Sequence, residues 1–225
     1  MVGMYEFYRM EILLVAATQF EIQPILKLIE TNFNDFKRNT ISIVITGVGI
    51  VNSTYFLTKI LLNKKFDLVL QAGIAGAFNY DLELTETVLI KQDTFGDAGM
   101  EEKGNFKTIF DAGFADKNKY PYTDGWLMNN GALLNKTKLK LVKGITVNKV
   151  SDSTAQRQQL VQYFNPDIET MEGASLHFVC LEEQILFLQI RSISNVVGER
   201  DKQKWKIKEA IRNLNIEIEK ILKQL

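Results

Sequence analysis

The sequence predicts an α/β fold: one domain in which a mixed central β-sheet is flanked by helices. Three observations carry that expectation. Strand-length apolar runs alternate with segments of helical period, several of those runs end in glycine-rich turns, and the chain closes on a long amphipathic helix. With 225 residues, 46% of them apolar, one chain can bury a single well-packed core.

The elements follow in order. Glu11 to Ala17 reads as a fully buried strand, and it feeds a helix from Glu21 to Glu30 with Ile22, Ile25, Leu26 and Ile29 on one face. Ile41 to Thr46 is a second strand ending at Gly47-Val48-Gly49. A helix then runs from Asn52, a favourable N-cap, to Leu62. Asp67 to Gln71 is a third strand, closed by Gly73-Ile74-Ala75-Gly76-Ala77, and Glu86 to Ile90 is a fourth. From Phe95 to Asn135 no period holds; glycine, Asn, Asp and aromatics suggest an irregular insertion of the kind that forms site rims or subunit contacts. Regular structure resumes with a strand from Leu141 to Val150 and a helix from Thr154 to Tyr163. After the turn Asn165-Pro166-Asp167 come a short strand, a helix from Gly173 to Glu182 and a strand from Leu186 to Ile193. In the last helix Ile207, Ala210, Ile211, Leu214, Ile218, Ile221 and Leu222 share one face. Residues 10–225 form the domain; residues 1–9 are an N-terminal extension expected to lack order.

Composition excludes several classes. Lys plus Arg is 27 and Asp plus Glu is 27, so the net charge is zero and a nucleic-acid footprint is not expected. One cysteine, Cys180, rules out an internal disulfide and a cysteine zinc site; it reads as a small core hydrophobe. No apolar run reaches bilayer length and none has the form of a signal peptide, so a cytoplasmic protein without membrane contact is expected. The single histidine, His177, lies between Leu176 and Phe178 and reads as structural; there is no G-x-S-x-G elbow to accompany it. Chemistry here has to run on carboxylates, amides and backbone groups.

Glu21 stands in the first turn of a helix just past a buried strand, where a helix N-terminus favours an ionised carboxylate. That suits a base that deprotonates water, and equally an ordinary helix-initiating acid. Gly47-Val48-Gly49 and Gly73-Ile74-Ala75-Gly76 allow close backbone approach to a ligand, or are tight turns; neither completes a dinucleotide or P-loop pattern. Glu172 opens a helix at a strand end, where a carboxylate can accept from two neighbouring hydroxyls, and Met171 can pack on a flat ring. Arg191-Ser192-Ile193-Ser194-Asn195 places an amide at the end of the next strand.

Taken together in chain order, these motifs resemble the purine nucleosidase and phosphorylase superfamily, in the branch holding methylthioadenosine/S-adenosylhomocysteine nucleosidase. The resemblance runs from Met10 onward and rests most on Met171-Glu172-Gly173-Ala174 and Arg191 to Asn195. It implies a nucleoside phosphorylase-like three-layer fold. It also implies Glu21 as the water-activating residue, Met171 and Glu172 at the ribose, Ala75 and Gly76 lining base and sugar, and Arg191 supporting Glu172. Asn195, beside Ser194, matches the position of the nucleosidases' catalytic aspartate. The family's base-stacking aromatic should fall near Val150 to Ser153, where this chain has none.

Asn in place of Asp has a chemical consequence. Adenine offers a donor at its 6-amino group and an acceptor at N7, matched by a protonated carboxyl. Hypoxanthine and guanine present two acceptors, O6 and N7, which an amide NH₂ can serve and a carboxylate repels. A mismatch costs about 1–3 kcal/mol, roughly ten- to a hundredfold in selectivity. A 6-oxopurine leaving group follows, and with it a resemblance to the futalosine hydrolase branch, carried by Phe95-Gly96-Asp97, Gly99, Gly198, Arg200-Asp201 and Trp205. That resemblance implies hypoxanthine release from futalosine in menaquinone biosynthesis, with the substrate's carboxyphenyl end against the segment from Phe95 onward and its carboxylate met by Arg200 or a lysine. The third strand carries no cation to hold phosphate, so water is the expected nucleophile. No metal or organic cofactor is called for, and a homo-oligomer is implied. The rivals are an adenine-releasing nucleosidase, a purine nucleoside phosphorylase, and a nucleoside-binding protein without activity.

Overall fold

The first apolar run does what its composition demands: β1 (Glu11–Ala16) has five of its six residues fully buried in the computed structural model, which describes residues 9–36 and 38–225. The chain continues through α1 (Gln19–Thr31), the single turn α2 (Phe33–Phe36), β2 (Thr40–Ile45), α3 (Ile50–Asn63) and β3 (Leu68–Ala77). After β4 (Thr87–Asp93) come two small hairpins, β5 (Gly99–Glu102) with β6 (Asn105–Thr108) and β7 (Tyr122–Thr123) with β8 (Trp126–Met128). Then follow β9 (Lys140–Thr146), α4 (Thr154–Phe164), β10 (Ile168–Thr170), α5 (Gly173–Glu182), β11 (Phe187–Val196) and α6 (Ile207–Gln224). The expected extension, residues 1–9, lies almost wholly outside the described residues.

Period-two alternation splits the core between the two faces of the sheet. Ile12, Leu14 and Ala16 point to one side, where they meet Ile22 and Ile25 of α1 and Leu214 and Ile218 of α6. Leu13 and Val15 point to the other, against Leu57 of α3 and Leu176, Val179 and Cys180 of α5. Helices therefore cover both faces, and the three-layer, mixed-sheet expectation holds. Truncating a wholly buried side chain such as Leu14 to Ala removes about 2–5 kcal/mol.

The sheet is more closed than the sequence suggests. Its order is β2-β1-β3-β10-β9-β4-β8-β7, with β11 paired to both β3 and β4. Strands β3, β10, β9, β4 and β11 thus pair in a ring. The ring is possible because β3 does not stop at Gln71: already paired with β11 from Val69, it continues through the glycines to Ala77, and Gly76 and Ala77 pair with β10. Three other expectations are corrected. β9 ends at Thr146, four residues before Val150. α3 starts at Ile50 behind Gly49, and the Asn52 side chain donates back to the Val48 carbonyl at 3.0 Å instead of capping. The stretch from Phe95 to Asn135 holds two hairpins and one 3₁₀ turn, so it is only partly irregular. The end of β1, the glycine-rich half of β3, the carboxyl end of β10, which runs antiparallel to it, and Ser194 and Asn195 of β11 come together.

Candidate active site

At that meeting point lies a cavity of about 350 Å³, lined by seven of the eight residues singled out from the sequence: Glu21, Ala75, Gly76, Met171, Glu172, Ser194 and Asn195. The eighth, Arg191, stands behind its wall.

Glu21 owes its position to a local sequence pattern. Thr18 precedes α1 and Glu21 is the third helical residue, so the carboxylate folds back onto the helix start. Its Oε2 accepts from the Thr18 N–H and from the Thr18 hydroxyl, both at 3.0 Å. Its Oε1 accepts from the Ile74 N–H of β3 at 3.2 Å. The side chain is thus fixed from two elements and only 9% exposed.

Gly73 lets two charged groups share this strand end. A Cβ there would lie 2.2 Å from Arg191 Nη1 and 2.9 Å from Glu21 Oε1. Arg191 is 1% exposed and donates to Gln71 Oε1 at 2.6 Å. Its hydrogen bond therefore goes to β3 and not to Glu172, which it reaches as a charge. Burial raises the Glu172 carboxyl above its usual range, while Arg191 and a hydrogen bond from the Gly49 N–H at 3.0 Å pull it back down. Glu21 is close enough to push it up again. Gly49 has φ of +97°, a conformation few other residues adopt, and this aims its N–H at the carboxylate.

Asn195 is placed by a β-bulge. β11 follows β3 in register as far as Ile193 opposite Ala75, then skips Ser194, so that Asn195 falls opposite Gly76. Asn195 Oδ1 accepts from the Ser194 hydroxyl at 2.8 Å, and its Nδ2 donates to the Val196 carbonyl at 3.0 Å. One of the two Nδ2 protons is left for a ligand. Gly76 keeps the space beside it open: a Cβ there would be 3.3 Å from Asn195 Nδ2.

Several lining residues were not foreseen. Glu169 of β10 pairs with Gly76 from the side opposite Asn195. It is 6% exposed, and its carboxylate accepts from the Ser151 N–H at 2.9 Å and from the Ser151 hydroxyl. Burial raises its pKa, against those hydrogen bonds and the Arg200 charge. An acid inside a three-residue strand flanked by Asp167 and Thr170 was the available signal. The aromatic rings of the cavity are Phe20 and Trp205, from the first turn of α1 and the approach to α6, while Val150 and Ser151 line the wall where an aromatic was sought. Arg200, expected at the substrate's carboxylate, does line the cavity, paired with Asp152 at 3.4 Å, whereas no residue from Phe95 to Asn135, the expected wall, lines it.

A family model described as the phosphorylase superfamily matches residues 3–225. The chain belongs to the phosphorylase superfamily. Among curated members, it is 29% identical to futalosine hydrolase of Thermus thermophilus over 79% of each chain. It is 26% identical to aminodeoxyfutalosine nucleosidase of Campylobacter jejuni, over 85% of this chain and 88% of that one. Among solved structures, a Helicobacter pylori methylthioadenosine nucleosidase mutant with 5′-methylthioadenosine in its active site superposes with a TM-score of 0.79 at 20% identity, covering 97% and 100% of the two chains. The native futalosine hydrolase of Helicobacter pylori superposes with a TM-score of 0.78 at 19% identity, covering 96% and 98%. These findings bear out the expected superfamily, its fold and the N-glycosyl hydrolase class. Among the described residues, no helix is long and apolar enough to cross a membrane.

Proposed function

We propose that this protein hydrolyses the N-glycosidic bond of a 6-oxopurine nucleoside, releasing hypoxanthine from futalosine in menaquinone biosynthesis. The observation that carries the reading is the pair of polar groups flanking Gly76: Asn195 on one side and Glu169 on the other. Two neighbouring strand spacings put the two Cα atoms roughly 10 Å apart, with no side chain on Gly76 between them. A purine edge laid over Gly76 meets a donor at one end and an acceptor at the other. Hypoxanthine matches both, with O6 and N7 toward the Asn195 N–H and its N1–H toward Glu169. Adenine, whose N1 accepts, meets a carboxylate there instead.

In this reading Glu21 holds and deprotonates a water that attacks C1′ opposite the leaving base, through an oxocarbenium-like transition state. Glu172 accepts from the ribose hydroxyls, with Met171 against the sugar. Asn195 stabilises the charge that develops on the departing base by hydrogen bonding. Ala75 and Gly76 form the floor, and Arg191 offsets the carboxylates from behind. Among the described residues Arg200 is the one cation lining the cavity, which suits a carboxylate at the substrate's non-purine end. Phosphate would find no second cation, so water is the nucleophile.

The curated relatives include aminodeoxyfutalosine nucleosidases, so release of adenine is the second reading. Asn195→Asp separates the two. On the leading reading it lowers hypoxanthine release from futalosine at least tenfold and admits 6-aminopurine nucleosides; an unchanged preference removes the specificity argument.

We extend the reading to a cytoplasmic homo-oligomer. Val51 and Tyr55 on the first turns of α3 are 77% and 58% exposed, close in sequence to the cavity-lining Val48. Light scattering that gives a monomer at micromolar concentration contradicts that part.

A further inference from the structure

Five polar side chains that the proposed reaction does not use, Thr170, Thr146, Asp93, Gln189 and His177, form a buried row leading away from the cavity wall. Asp93, at the end of β4, is wholly buried, and its Oδ1 accepts from the Thr94 N–H at 2.8 Å and the Thr146 hydroxyl at 2.9 Å. Thr146 Oγ1 in turn accepts from the Ala174 N–H at 2.7 Å. Thr170, 3.1 Å from Thr146, takes the Gly173 N–H at 3.2 Å. These are the first two N–H groups of α5, immediately after Glu172. Glycines keep the row intact: a Cβ at Gly173 would lie 2.2 Å from Asp93 Oδ2, and one at Gly144 2.7 Å from it.

On its other side Asp93 Oδ2 meets Gln189 Nε2 at 3.2 Å, and Gln189 adjoins His177. The His177 Nδ1 lies 2.9 Å from the Leu127 carbonyl. A carbonyl only accepts, so Nδ1 carries the ring proton. Burial holds this imidazole down to about 4, which leaves Nε2 a bare acceptor. With the Gln189 NH₂ turned to Asp93, both His177 Nε2 and Gln189 Oε1 are buried without a partner. Turning the amide over pairs them all. Its NH₂ then donates to His177 Nε2, and its oxygen meets Asp93 Oδ2, which has to carry a proton to be a donor.

We propose that Asp93 works as a neutral carboxylic acid donating to Gln189, and that through Thr146 it is the positioning residue that seats the start of α5 and hence Glu172. Burial pushes the Asp93 carboxyl up to about 7, against hydrogen bonds from Thr146 and Gln189 and the Arg191 charge. Arg191 is the charged group that faces Asp93 from β11, and His177 the titratable one from α5. With Asp93 neutral, the Arg191 charge is left to Glu172, which Glu21 also faces. From the proposed function this inference takes only the role of Glu172 at the ribose.

His177 is the only histidine of the chain, so ¹⁵N-histidine labelling gives one pair of ring signals. The expected spectrum is the neutral Nδ1–H tautomer from pH 5 to 9. An imidazolium with both nitrogens protonated between pH 5 and 7 overturns the proposal, because the proton then sits on His177. Kinetics supply the second arm. As Asp93 ionises above about pH 7, KM for futalosine rises about tenfold by pH 9, with a smaller change in kcat. Asp93→Asn reproduces the donor and acceptor of the neutral acid and flattens that rise, whereas Asp93→Ala raises KM at every pH. An Asn variant that behaves like the Ala variant contradicts the neutral acid. If the wild type releases no base from futalosine at any pH, the functional reading fails, while an imidazolium spectrum still overturns the Asp93 proposal by itself.

Discussion

Asn215 of α6 stands in the turn of α1 that carries Glu21. Its Nδ2 donates to the Glu21 carbonyl at 2.8 Å and its Oδ1 accepts from the Ile25 N–H at 3.0 Å. An ordinary helical turn joins those two groups to each other. Here Pro24, which brings no N–H of its own, lies between them, and a buried amide from α6 pairs with both. The same Nδ2 also donates to the Ile211 carbonyl at 2.7 Å, which fixes its orientation on α6. Replacing Asn215 by Leu takes a buried partner from both groups and lowers stability by about 1–3 kcal/mol in urea unfolding. In the proposed reaction kcat falls about tenfold while KM stays within roughly twofold, since it is the Glu21 turn that shifts. Equal losses in kcat and kcat/KM fit this account; a rise in KM alone does not.

Gly73→Ala tests how tightly Arg191 is held. The added Cβ would lie 2.2 Å from Nη1 of a guanidinium that is 1% exposed, so something has to move. Overpacking of this kind costs about 1–3 kcal/mol. The expected outcome is a lower urea midpoint at an unchanged m-value. A wild-type midpoint means that Arg191 moves without cost.

Glu21→Gln separates binding from turnover. The amide oxygen can still accept from Thr18, but the variant has no base. Turnover of futalosine is expected to fall at least a thousandfold, with its dissociation constant changed less than about threefold in calorimetry. Activity within tenfold of wild type removes Glu21 as the base.

Two buried groups predict an unusual dependence of stability on pH. Asp93 has a folded pKa of about 7 against 3.8, so between those values the native state holds a proton that the unfolded chain has lost. Its contribution to stability falls as pH rises through that window, by roughly 1.4 kcal/mol per unit. His177 has a folded pKa of about 4 against 6.5, so there the unfolded chain holds the extra proton and its contribution rises with pH. From about pH 4 to 6.5 the two slopes oppose and nearly cancel. Asp93→Asn removes one of them, and its stability relative to wild type should climb across that range. Parallel wild-type and variant curves contradict the assignment.

The layers of the fold were readable because β1, β3 and β11 are continuous apolar runs and α6 keeps one apolar face. Of the cavity's glutamates, Glu21 and Glu172 were readable from strand-to-helix junctions, where polar groups converge. What escaped depends on partners distant in sequence. The glycines of Gly73 to Gly76 look like a strand end, yet here they spare room for Arg191, Glu21 and Asn195 while the strand continues. The bulge at Ser194 arises from pairing with β3 and leaves no trace in β11 alone. Glu169 is an acid in a short strand, and only the neighbouring Gly76 gives it a place in the cavity. Asn215 sits between Leu214 and Ile216 on a helix otherwise read for its apolar face. Pro24 was the clue that some group had to serve the turn around it.

The most direct measurement is the free base released from futalosine, its 6-amino counterpart aminodeoxyfutalosine and inosine, each with and without phosphate. The account predicts hypoxanthine from futalosine at a rate independent of phosphate, with the 6-amino substrate at least tenfold poorer in kcat/KM. Adenine released as fast as hypoxanthine, or a rate that depends on phosphate, contradicts it.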